Sequence, residues 1–88
     1  MSEHFKYIII SQQGDEYPIL FPPILDHSFV VLHKTVVAAG FVSIRPDGET
    51  LAVATWGESV TLRHQGLPYS SRPEDTSIIS FHLNRPLK

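Results

Sequence analysis

Between residues 36 and 60 the chain reads VVAAGFVSIRPDGETLAVATWGESV, and the two apolar runs on either side of Pro46, Asp47 and Gly48 restrict the fold more than any other stretch. Val, Ile, Phe, Leu and Trp suit a pleated, half-buried surface and the triplet suits a tight turn, so the segment predicts a β-hairpin. In the first run both alternating sets are largely apolar, Val36, Ala38, Gly40, Val42 and Ile44 against Val37, Ala39 and Phe41, as an interior strand covered on both faces requires. Ala38, Ala39 and Gly40 are small and leave room for a helix to approach the sheet closely. The return strand spans 51–56, with Leu51 and Val53 on one face and Ala52, Ala54 and Trp56 on the other, and Gly57 ends it or marks a bulge.

Upstream, apolar runs at 6–10 and 17–21 flank the polar segment SQQGDE, in which Gly14 is placed to take a positive φ, so a first hairpin is expected there. Pro22 and Pro23 stop its second strand. Asp26 then stands as an N-cap for a short helix over 27–34, with Phe29, Leu32, His33 and Val36 at helical spacing. Val30, Val31 and Thr35 are β-branched, and Phe29, Val31, His33 and Thr35 also fit an alternating strand, so a strand remains the competing reading.

After the turn-rich loop QGLPYSS at 65–71, Ser71-Arg72-Pro73-Glu74 matches a capping box with Ser71 at the N-cap and Glu74 at N3. Asp75 adds a second acidic residue to the first turn, and Pro86 bars extension beyond Arg85. Ile78, Ile79, His82 and Leu83 form the stripe expected to be buried. A strand over 76–83 would account better for Phe81, but the capping box favours the helix. The expected fold is therefore α+β, a four-stranded, mainly antiparallel sheet from two hairpins with two helices in the order β-β-α-β-β-α.

A chain of 88 residues makes a single small domain, 1–88, with room for one core. The absence of cysteine removes disulfides and thiolate zinc sites. The apolar run in MSEHFKYIII is far shorter than a signal-peptide core or the roughly 20 residues of a membrane span, so a soluble, cytoplasmic protein with no membrane contact is expected. A net charge of −2 and a pI near 6.2 argue against a dedicated nucleic-acid binder. The nearest approach to a basic patch is Arg63, His64 and Arg72, joined by Lys34.

The five histidines, His4, His27, His33, His64 and His82, show no metal-ligand spacing, and there is no HExxH. Ser59, in GESVT, resembles half of a nucleophile elbow but lacks the second glycine, and a turn or strand-edge hydroxyl is the expected role. Most acidic residues fall in turns or caps, and no glycine-rich phosphate loop occurs. Neither a catalytic set nor a metal site nor a cofactor is expected. Recognition chemistry is concentrated instead in Trp56, Arg63, Leu67, Tyr69 and Arg72, because Trp, Tyr and Arg dominate binding hot spots. For Trp56 and Tyr69 the competing reading is that they fill and cap the core.

The pattern FPPILDH, VVAAGFVSI, GESVTL and SRPEDTSIISFHL resembles short uncharacterised proteins encoded by phages and prophages. The resemblance runs from Phe21 onward and is most specific in AGFV at 39–42, GES at 57–59 and SRPED at 71–75, while the loop at 63–70 is extended relative to that pattern. It assigns no activity. It implies a small accessory protein that binds a host protein, a virion component or a second copy of itself as a homodimer, the last by pairing of sheet edges. The competing readings are a small enzyme or metal-dependent factor built at an oligomer interface, and a weak nucleic-acid contact through Arg63, Arg72 and Lys34.

Overall fold

A computed structural model describes residues 3–31 and 34–85. Strands β1 (Glu3–Gln12), β2 (Asp15–Phe21), β3 (Val36–Asp47) and β4 (Thr50–Trp56) form one antiparallel sheet in the order β2-β1-β3-β4. Helix α1 (His27–Val31) joins the hairpins, and α2 (Val60–His64) and α3 (Pro73–Asn84) follow β4. The class is α+β as expected, and β3 is interior. The order, β-β-α-β-β-α-α, carries one helix more than the sequence suggested.

Both hairpins turn more tightly than their polar segments implied. Gln13 and Gly14 alone link Gln12 to Asp15, with φ of 55° and 86°, the two positive values of a type I′ turn, so Ser11, Gln12, Asp15 and Glu16 belong to the strands. In the second hairpin Gly48, at φ 65°, and Glu49 make the turn between Asp47 and Thr50. Pro46 and Asp47 are therefore strand residues rather than turn residues. Pro46 faces Leu51 in a pair that exchanges no main-chain bonds, so its missing N–H leaves no gap in the ladder.

The sheet separates two apolar clusters. Ile8, Phe21, Val36 and Ala39 pack with Val31 and Leu62 under α1 and α2, while Tyr7, Ile9, Ala38 and Val42 pack with Ile79 under α3. A register shift between Ile9 and Ile10 marks a bulge in β3, and it turns Val37 and Ala38 toward the same side. Gly40 is closely approached, but by the main chain at the end of β4, the Tyr7 ring and Ser71 rather than by a helix. A Cβ there would lie 2.8 Å from the Trp56 carbonyl oxygen and 3.2 Å from the Tyr7 ring.

The helix reading holds at both contested segments, with corrections to their faces and caps and with Lys34, expected in the first helix, lying outside it. Asp26 caps α1: its carboxylate accepts the Ser28 N–H at 3.0 Å and the Thr61 hydroxyl of α2 at 3.1 Å, tying the two helices together. The buried face of α1 is His27 and Val31; Phe29 points outward and Val36 opens β3, while Leu32 and His33 lie outside the described residues. In α3 the N-cap is Arg72 rather than Ser71, and Asp75 rather than Glu74 occupies N3. Pro73 explains the shift, because proline fits N1, where no N–H is needed, and this fixes the cap at Arg72, one residue later than expected. Ile79 is fully buried, but Leu83 and Phe81 are exposed.

Neither sheet edge is open along its length. Counting from the turn, the Pro18 nitrogen points away from β1, so the outer edge of β2 lacks a donor at its centre. On β4 the Asn84 side chain accepts the Leu51 N–H at 2.8 Å and donates to the Leu51 carbonyl at 3.1 Å, standing in for a neighbouring strand.

Candidate binding surface

Strand register lays out the surface on the side of α1 and α2. Phe21, Lys6, Phe41 and Trp56 stand in one row across all four strands, with His4 and Ser43 in the next row. The helices cover the end of this face nearest Ile8 and Ala39 and leave Trp56 beyond them. Trp56 is 42% exposed, stacks on Phe41 at 6.2 Å with planes 23° apart, and meets His4 edge-on at 5.6 Å. Phe41 in turn meets the buried ring of His27, which sits edge-on between Phe41 and Phe21.

Segment 57–71 closes on itself beside this row. The Ser59 N–H donates to the Tyr69 carbonyl at 2.7 Å and the Ser71 N–H to the Gly57 carbonyl at 3.0 Å, enclosing α2. Ser59 is its N-cap, and its buried hydroxyl accepts the Leu62 N–H at 3.3 Å. That contact occupies the one serine that resembled a nucleophile. Leu67 and Tyr69 pack half-buried on the Leu62 cluster, which is the capping role for Tyr69. Arg63 lies over the Tyr69 ring at 5.7 Å and pairs with Glu58 at 3.7 Å, both side chains being largely open to solvent.

Arg72 stands apart from the other four expected site residues. It belongs to a buried cluster on the α3 side, where Asp75, fully buried, accepts the Tyr7 hydroxyl at 2.6 Å and the Arg72 N–H and Nε–H at 2.9 and 2.8 Å. Glu16 holds the far end of the same guanidinium at 2.8 Å. Burial first, and then the Asp75 carboxylate, push the Tyr7 phenol far above its ordinary range; the hydrogen bond from Arg72 draws the Glu16 carboxyl below its own. The fold thus groups Arg63, Leu67 and Tyr69, places Trp56 with Phe41 and His4, and withdraws Arg72 into structure. The sequence pattern gives His4 and Phe41 no place in a binding surface and carries no sign of the roles of Tyr7 and Asn84. For Asn84 no local signal exists, since its partner Leu51 is 33 positions away.

Among the described residues no three His, Asp or Glu side chains come together as metal ligands, and no helix is long and apolar enough to cross a membrane. A shallow groove of about 520 Å³ lies between the tip of the first hairpin and α3, lined in part by Asp15, Tyr17, Phe81, His82 and Arg85. The chain matches no protein-family model, no curated protein sequence and no solved structure.

Proposed function

We propose that this chain is a small accessory protein of phage or prophage origin that acts by binding another protein. The observation that carries the reading is Trp56, a large aromatic left 42% exposed on a preformed stack with Phe41, on a sheet face that the helices leave open. An aromatic held rigid before contact loses little entropy on binding, which is the property of a hot-spot anchor. Val60, 61% exposed at the start of α2, adds apolar surface a few residues further on. The engagement of the Ser59 hydroxyl in a helix cap favours binding over hydrolytic chemistry. Phage origin rests on the resemblance in residues 21–83.

The test is affinity capture from a bacterial lysate with mass spectrometry, comparing the native chain with Trp56→Ala and Tyr69→Ala. Trp56→Ala is expected to keep its melting temperature within a few degrees and to lose the captured protein. Tyr69→Ala is expected to lower stability, because Tyr69 packs on the core. Equal capture by the native chain and Trp56→Ala refutes the assignment to this face.

A further inference from the structure

His27 is 3% exposed and opens a helix of only five residues. Its ring is wedged edge-on between Phe21 at 5.3 Å and Phe41 at 5.8 Å, and Nε2 lies 3.0 Å from the Gly40 carbonyl oxygen. A carbonyl only accepts, so Nε2 carries the proton and the neutral ring completes this contact with Nδ1 unprotonated. Besides this ring, α1 is held to the sheet by Val31 and the half-buried Val30, both in the Ile8 cluster, and the turn before it by Lys6 Nζ, which donates to the Leu25 carbonyl at 2.8 Å.

We propose that His27 is an acid-sensitive latch: the neutral ring docks α1 on the sheet, and the imidazolium releases it, uncovering Phe21, Val31 and the inner side of Phe41. A second proton on the ring would place a full charge between two phenyl groups. The charged groups acting on it are Lys6 of β1, which opposes the imidazolium, and Asp26 at the α1 cap, which favours it; the contacts from β2 and β3 are uncharged. Asp26 is already engaged by the Ser28 N–H and the Thr61 hydroxyl. Burial, the largest influence, and then Lys6 outweigh the opposing Gly40 and Asp26 contributions and hold the ring below the ordinary histidine value of 6.5. The released state therefore binds the proton more tightly and gains on the docked state as the pH falls below that value.

Release enlarges the aromatic face through the shared ring of Phe41. This bearing on binding rests on the proposed function; the latch itself does not. The test is NMR of the full chain from pH 7.5 to 4.5, following the His27 ring protons, the Val31 methyls and the amides of α1 against those of Ile8 and Val42. The released fraction should rise as the pH falls below about 6.5, by at most about tenfold per pH unit, the limiting slope of a single proton, and level off once the docked ring is itself protonated, while the sheet amides stay unchanged. In His27→Gln, where an uncharged donor remains for Gly40, that pH dependence should vanish. A His27 ring that titrates while α1 stays docked overturns the latch in the native protein alone, even if His27→Gln fails to fold. Release that persists unchanged in a folded His27→Gln overturns it as well. Because the readout is α1 itself, either result leaves the binding face standing, and failed partner capture leaves the latch standing.

Discussion

Replacing Asp75 by Ala should be the most damaging single change on the α3 side. The carboxylate is fully buried and serves Tyr7, the Arg72 main chain and the Arg72 guanidinium at once, so its loss orphans a phenol, an N-cap N–H and part of a cation. Removing one partner of a buried ion pair costs about 3–5 kcal/mol. The Arg72 side chain keeps 24% exposure and a second partner in Glu16, which places the cost at the lower end, about 3 kcal/mol. For a domain of this size the total stability is on the order of 4–13 kcal/mol, and each kcal/mol moves the melting temperature by about 4–8 °C. Thermal melts by circular dichroism should therefore show Asp75→Ala melting about 12–24 °C below the native chain. Tyr7→Phe alone should cost about 1.5–3 kcal/mol, the range for a hydrogen bond to a charged group. The double variant should cost less than the sum of the two by about 1 kcal/mol or more, since both act through one contact. Additive costs, or an Asp75→Ala melt within a few degrees of native, would show that the cluster does not hold α3 to β1.

Gly40→Ala should destabilise by about 1–3 kcal/mol in urea titrations, because the new methyl meets main-chain oxygen of Trp56 rather than a movable side chain. Asn84→Ala should cost about 1–2 kcal/mol and free the Leu51 main chain, so sedimentation at rising concentration should show association absent from the native chain. Asp26 and Glu16 are both held below their ordinary values, Asp26 first by the Ser28 N–H and Glu16 first by the Arg72 hydrogen bond. The unfolded chain thus binds more protons at these groups, and the stability these two carboxylates contribute should be full above about pH 4.5 and be lost below it, with Asp26→Asn and Arg72→Met each flattening the urea midpoint profile in that range. His27 acts in the same direction at higher pH, so the midpoint should already decline below about 6.5 in the native chain but not in His27→Gln.

Much of the sheet was legible because its signals are local. Apolar alternation marked four strands, and Gly14 and Gly48 lie where positive φ is needed. The turn boundaries were misplaced because a two-residue turn leaves polar residues such as Ser11 and Glu16 inside the ladder, where composition alone reads them as loop. Helix α2 escaped notice because five residues carry no periodicity, although Ser59 followed three positions later by Leu62 is an N-cap arrangement once the helix is granted. Arg72 looked available because Glu16 reaches it from 56 positions away, and because Asp75, three positions on, reads in the sequence as a helix-dipole residue rather than as a partner of the guanidinium. Trp56 lay on the face its alternation assigned, but its exposure depends on where α1 and α2 stop, which is a matter of packing between distant segments.

The bulge in β3 gives this strand one place where its length is negotiable. Val36 faces α1, Val37 and Ala38 both face α3, and Ala39 faces α1 again. Removing Val37 would leave strict alternation and keep every remaining side chain of the strand on its present side. A deletion elsewhere along the strand would instead send one end of it inside out. The bulge is thus a phase correction, and a chain that lost one residue there would absorb the change while both cores stayed in register.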